Sequence, residues 1–108
     1  MQMLSTRGAA AVSPSEAILR GLALDGGLYV PTEFPSFSLE EIAALGKMGY
    51  EQRALTVLER FLPDFTREEL KGAIHGAYGR GFDCEEIAPV RTVGGWAPAL
   101  ELRHGPTL

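Results

Sequence analysis

Few residues in this 108-residue sequence have the side chains that catalysis or ligation needs. They are two histidines, His75 and His104, one cysteine, Cys84, two lysines, Lys47 and Lys71, and the acidic pairs Glu40-Glu41, Glu68-Glu69 and Glu85-Glu86. Metal ligation needs His, Cys or carboxylate groups at short, regular intervals, and these residues show no such spacing. Cys84 has no adjacent histidine to activate it as a nucleophile and reads as a loop thiol. The first two acidic pairs sit at expected helix N-termini, where the macrodipole favours negative charge for structural reasons, and the third reads as solvated loop. His75 falls one place past an apolar helical position and reads as a boundary residue. His104 opens the run His104-Gly105-Pro106-Thr107, in which glycine and proline impose a rigid turn at a strand end. No glycine-rich phosphate loop precedes a helix in the required pattern.

The elements that would position these residues are organised around Leu24-Asp25-Gly26-Gly27-Leu28-Tyr29-Val30-Pro31. Two glycines tolerate positive φ and suit a helix end that reverses into a strand. Asp25 can accept hydrogen bonds from the backbone just after it. Gln2 to Thr6 reads as a strand that pairs with Leu28 to Val30, and Ala9 to Val12 as loop. A helix should start at Ser13, with Pro14 in its first turn and Glu16 completing a capping box. Ala17, Ile18 and Leu22 should face inward, and the Asp-Gly-Gly turn should end the helix. Thr32 to Phe37 reads as a packed loop. Further capping boxes at Ser38 to Glu41 and Thr66 to Glu69 open two more helices, the first with Leu39, Ile42, Ala43 and Leu45 as its apolar stripe. Between them, Tyr50 to Leu62 is amphipathic, with Tyr50, Ala54, Leu58, Phe61 and Leu62 on one face. Leu58 and Phe61 should be buried against Leu70, Ile74 and Tyr78. The tail changes to a period of two, with strands over Ala88 to Val93 and Trp96 to Arg103 around Gly94-Gly95. The order β-α-β-α-α-α-β-β is an α+β arrangement, a small helical domain with short strands at both ends.

Composition narrows the function classes. Fourteen acids against ten bases give a net charge of −4, which argues against nucleic acid, whose phosphates call for clustered Lys and Arg. One cysteine cannot form an internal disulfide, which suggests a reducing compartment. No apolar run approaches the ~20 residues that span a bilayer, and the start lacks the basic and apolar regions of a signal peptide. The expected location is the cytoplasm.

Three motifs stand in order: Ser5-Thr6-Arg7-Gly8, then a Glu-Ala-Ile-Leu helix running into Gly-Leu-Ala-x-Asp-Gly-Gly-Leu-Tyr-Val-Pro, and Leu100-Glu101-Leu102-Arg103-His104-Gly105-Pro106-Thr107-Leu108. Together they closely resemble the N-terminal region of threonine synthase. The resemblance implies part of a fold-type II enzyme that uses pyridoxal 5′-phosphate (PLP) to convert O-phospho-L-homoserine and water into L-threonine and phosphate. In the family pattern the cofactor's lysine lies in an Ala-Phe-Lys-Asp run directly after His-Gly-Pro-Thr-Leu, and Leu108 ends this sequence just before it. The expected organisation is an N-terminal domain over 1–88 and a β-hairpin over 89–108 leading into the PLP-binding domain. His104, Gly105, Pro106 and Thr107 are expected near the active site by resemblance, with no catalytic, cofactor-binding or metal residue in this chain itself. Lys47 and Lys71 lie in or beside amphipathic helices and are not expected to substitute, so the chain alone should be inactive. Two positions depart from the pattern: Arg103 stands where the family usually has an aromatic residue, and Gly81 interrupts an aromatic pair. The alternatives are a threonine-synthase-like phospholyase and a non-catalytic interaction module.

Overall fold

The computed structural model describes residues 1–79 and 86–102. The elements are β1 (Met3–Ser5), α1 (Pro14–Arg20), β2 (Tyr29–Pro31), α2 (Leu39–Leu45), α3 (Tyr50–Phe61), α4 (Arg67–Tyr78), β3 (Val90–Val93) and β4 (Ala97–Leu100). The α+β arrangement and the element order match the sequence expectation. Substantial packing joins β1 to β2, α3 to α4 and β3 to β4.

β1 and β2 pair antiparallel, with Met3 opposite Pro31, Leu4 opposite Val30 and Ser5 opposite Tyr29. The alternation of a strand turns Met3 and Ser5 inward and Leu4 outward. Residues 9–12, expected as plain loop, add an isolated bridge in which Met3 and Val12 exchange backbone hydrogen bonds of 2.9 and 3.0 Å. In α1, the Ser13 hydroxyl accepts from the Glu16 N–H at 3.2 Å, as its position before Pro14 suggests. The expected capping box stays half-built, because the Glu16 carboxylate pairs with Arg20 one turn on, at 2.5 Å. The helix also ends earlier than expected: Gly21, at φ +73°, caps it, and the Asp-Gly-Gly turn follows as a separate feature. Ala17 is buried, but Ile18 and Leu22 are exposed, contrary to the inward face expected of them. Only Pro14 and Ala17 of this seven-residue helix are buried, a narrow strip of its surface.

Both downstream capping boxes form as expected. Ser38 and Glu41 close one at the start of α2, and Thr66 and Glu69 the other at the start of α4. The backbone N–H of Ser38 and the guanidinium of Arg60 hold the Glu41 carboxyl below its ordinary range. The backbone N–H and hydroxyl of Thr66 do the same for Glu69. The stripe assigned to α2 is not buried, and Leu39 and Ile42 face solvent.

The core is the α3–α4 pair, centred on Leu55, Leu70 and Ile74, with Ala54, Leu58, Leu62, Phe65 and Tyr78 packed around them. Leu55 was not on the expected face. Apolar residues of α3 cover more than one stripe, and contact with α4 selects the line through Leu55, Leu58 and Leu62. Phe61 is therefore half-buried rather than central, set edge-on to Phe34 with ring centroids 6.2 Å apart. That contact, with Arg60 stacked 3.9 Å over Phe37, explains how the loop before α2 packs.

The second hairpin also forms, with Val93 opposite Ala97 and Val90 opposite Leu100. Its turn holds Gly94 and Gly95 at φ +63° and +78°, but it includes Trp96 as well, so the returning strand begins at Ala97. Every residue of β3 is exposed.

Candidate functional site

The most elaborately bonded feature among the described residues is a polar knot at the Asp-Gly-Gly turn. Asp25 accepts from the hydroxyl of Ser5 at 2.7 Å, from the Ala9 N–H at 2.8 Å and from the Gly27 N–H at 2.9 Å. Ser5 is buried, and its oxygen also accepts from the Arg7 N–H at 3.1 Å. The Arg7 guanidinium in turn reaches the Asp25 carbonyl at 3.2 Å. A carboxylate with this many donors favours its charged form. The Ser5 hydroxyl, then the Gly27 and Ala9 N–H groups, lower the Asp25 pKa from its ordinary value.

The two glycines serve this knot differently. Gly26 lies at φ +76°, a conformation that side chains disfavour. Gly27 has ordinary φ, but a Cβ there would stand 2.2 Å from the Ser5 oxygen. The sequence identified the turn and the local Asp25-to-Gly27 bond. The bonds from Ser5 and Ala9 join residues 16 to 20 places apart, beyond the reach of any local sequence signal.

The knot is a structural device with no free nucleophile or base. His104, Gly105, Pro106 and Thr107, expected near the active site, lie outside the described residues, as do Arg103, Gly81, Cys84 and Glu85. The hairpin of β3 and β4 leads toward 104–107, and Glu101 is tied across it by its N–H to the Pro89 carbonyl at 2.9 Å. Glu86 pairs with Arg91 at 3.1 Å.

His75 lies on α4 with its side chain largely exposed, 3.2 Å from Glu51 on α3, in keeping with a boundary residue. Arg67, Lys71 and His75 fall on successive turns of α4 and line an open cavity of about 480 Å³ with Glu51, Gln52, Leu55 and Ile74. Each basic group there already has a carboxylate: Arg67 has Glu59 at 2.6 Å, Lys71 has Glu68 at 3.6 Å, and His75 has Glu51. Among the described residues no cluster of His, Cys, Asp and Glu is placed to hold a metal.

The fit of the chain to an aldehyde cofactor turns on its two lysines. A Schiff-base lysine is desolvated in a pocket or set beside another cation that favours the neutral amine. Lys47 is exposed just after α2, and Lys71 is open to water with a carboxylate beside it. Neither fits the role.

The described residues form a helical region with β-structure at both ends. The family profile described as "Threonine synthase N terminus" matches residues 2–78. The chain belongs to the threonine synthase family. It is 41% identical over 110 residues to a threonine synthase of Pseudomonas aeruginosa, covering all of this chain and 23% of that one. It is 47% identical over 96 residues to "Threonine synthase-like 1" of Homo sapiens, covering 86% of this chain and 13% of that protein. Among solved structures it superposes on the threonine synthase of Escherichia coli with a TM-score of 0.81 at 31% identity, over all of this chain and 24% of that one. With the PLP-bound threonine synthase of Brucella melitensis the TM-score is 0.85 at 38% identity, over 98% of this chain and 23% of that one. The chain thus spans a quarter or less of these relatives, and the family model it matches describes the N terminus of threonine synthase.

Proposed function

We propose that this chain is the N-terminal portion of a PLP-dependent threonine synthase that converts O-phospho-L-homoserine and water into L-threonine and phosphate. The observation that carries this reading is the family match over residues 2–78 together with likeness to threonine synthases over the whole chain. PLP supplies the electron sink for carbanions at the substrate carbons. No step through it is assigned to the described residues, because neither lysine fits the cofactor. Their role is to scaffold. The division proposed is a domain over 1–88 and a hairpin over 89–108 that carries His104, Gly105, Pro106 and Thr107 to the edge of the active site. The proposed compartment is the cytoplasm, which suits a sequence with one cysteine and with no described helix long and apolar enough to cross a membrane.

The test extends the chain through the rest of a threonine synthase reading frame. The extended polypeptide should show visible cofactor absorbance that borohydride bleaches, and should release phosphate from O-phospho-L-homoserine with one threonine per phosphate. The 108-residue chain alone should do neither. Specific, saturable cofactor absorbance on the short chain would overturn the reading. Phosphate released without threonine would favour the threonine-synthase-like phospholyase, a reading kept open by the 47% identity to a protein named only as threonine synthase-like.

A further inference from the structure

Helix α2 has no buried residue and takes part in none of the substantial element pairings of the fold. Burial of its apolar side chains therefore does not hold it in place. Two arginines of α3 do. The Arg53 guanidinium donates to the Leu45 carbonyl at 3.0 Å and to the Met48 carbonyl at 2.9 Å, closing over the C-terminal end of α2. Two turns further along the same face of α3, Arg60 donates to the Ser36 carbonyl and pairs with the Glu41 carboxylate. The same guanidinium stacks over the ring of Phe37.

Other contacts between this segment and α3 are slight. Phe34 sets its ring edge-on to Phe61, and the Thr56 hydroxyl lies 3.7 Å from the Met48 sulfur. A cavity of about 530 Å³ is lined by residues 33–36 from one side and by Glu59, Arg60 and Pro63 from the other, so the loop before α2 is not close-packed on α3. The flanks are anchored independently. The Thr32 N–H donates to the Gln2 carbonyl at 2.9 Å, and α3 starts at Tyr50 after Gly49, a residue with open space around it.

Segments with little buried apolar area and exposed hydrogen bonds open at a lower free energy than the core beside them. An ion pair whose side chains are both part-exposed, as Arg60 and Glu41 are, weakens as salt screens it.

We infer that residues 33–48 form a strap, latched onto α3 by Arg53 and Arg60, that opens as one unit while α3 and α4 stay folded. Ionic strength sets how often it opens, through the Arg60–Glu41 pair. Opening frees the ring of Phe61 from Phe34 and uncovers the face of α3 that carries both arginines. The strap is thus a charge-controlled cover for that face, whatever reaction the longer polypeptide catalyses.

Hydrogen exchange on the 108-residue chain, read from milliseconds upward by mass spectrometry, tests this. At low salt the amides of α2 should be protected, yet exchange at least about tenfold faster than those of α3 and α4. Raising the salt should speed α2 exchange several-fold and leave the two longer helices unchanged. Arg60→Gln should speed it at low salt and abolish the salt response. Glu41→Gln should do the same, because glutamine keeps the oxygen that closes the capping box but carries no charge. Arg53→Gln should speed exchange while the salt response persists. Exchange of α2 at the rate of α3 and α4 would overturn the inference, because the helices would then open together. So would an α2 unprotected at low salt, because nothing would then be latched. A salt response retained in both Arg60→Gln and Glu41→Gln would overturn it as well. These two substitutions lie on different elements at part-exposed positions, so if one fails to fold the other decides.

Discussion

The N-terminal knot and the α3–α4 pair are held together by different physics. In the knot, one carboxylate takes three donors, the hydroxyl of the buried Ser5 and the N–H groups of Ala9 and Gly27. In the helix pair, Leu55, Leu70 and Ile74 form an apolar centre, with Tyr50 and Tyr78 edge-on at 5.1 Å beside it. Directional bonds fix geometry and are sensitive to the charge of one group. Apolar burial is less directional and scales with the area removed from water. The paired N-terminal strands and their turn use the first, and the α3–α4 pair uses the second.

The largest effect should come from the apolar side. Leu55→Ala should cost about 2–5 kcal/mol by cavity formation, whereas Phe61→Ala, at a half-buried position, should cost less, about 1–2 kcal/mol from lost burial alone. Urea denaturation of the two variants checks the order, and an equal or reversed ranking would place the core on the wrong stripe of α3.

Next comes the knot. Gly27→Ala should cost about 1–3 kcal/mol, because its new methyl overlaps the Ser5 oxygen and the surrounding bonds must shift. Ser5→Gly in the same chain should recover part of that loss by removing the oxygen. Lack of recovery would show that Gly27 is constrained by something other than Ser5.

Thr66→Ala removes the hydroxyl that accepts from the Glu69 N–H and should cost about 1 kcal/mol. Thr66→Ser keeps the oxygen and should recover most of it, measured by thermal melting.

The most selective effect is acid. The folded-state pKa of Asp25 is lowered, so its stabilisation is full above the unfolded carboxylate value of about 3.9 and is lost as pH falls through the folded one. Glu41 and Glu69 act with the same sign. Asp25→Asn should therefore flatten the acid limb of the stability profile without abolishing it. Exchange protection should fall first in β1 and β2 while α3 and α4 persist. Simultaneous loss of both regions would show that the knot and the helix pair unfold as one unit.

Local signals in the sequence were enough for the cap at Ser13, the capping boxes at Ser38 and Thr66 and both glycine turns. Each depends on residues within a few positions of one another, or on a period that a short window displays. The family was legible for a related reason, since its motifs are short runs in fixed order. Which apolar residues are buried was settled only in three dimensions. Ile18, Leu22, Leu39 and Ile42 were assigned inward faces by the same helical periodicity as Leu58 and Leu70 but stay more than half exposed, because burial depends on a partner surface that periodicity does not encode. The Ser5–Asp25 bond likewise needed the fold, because two polar residues 20 places apart meet only after β1 and β2 have paired.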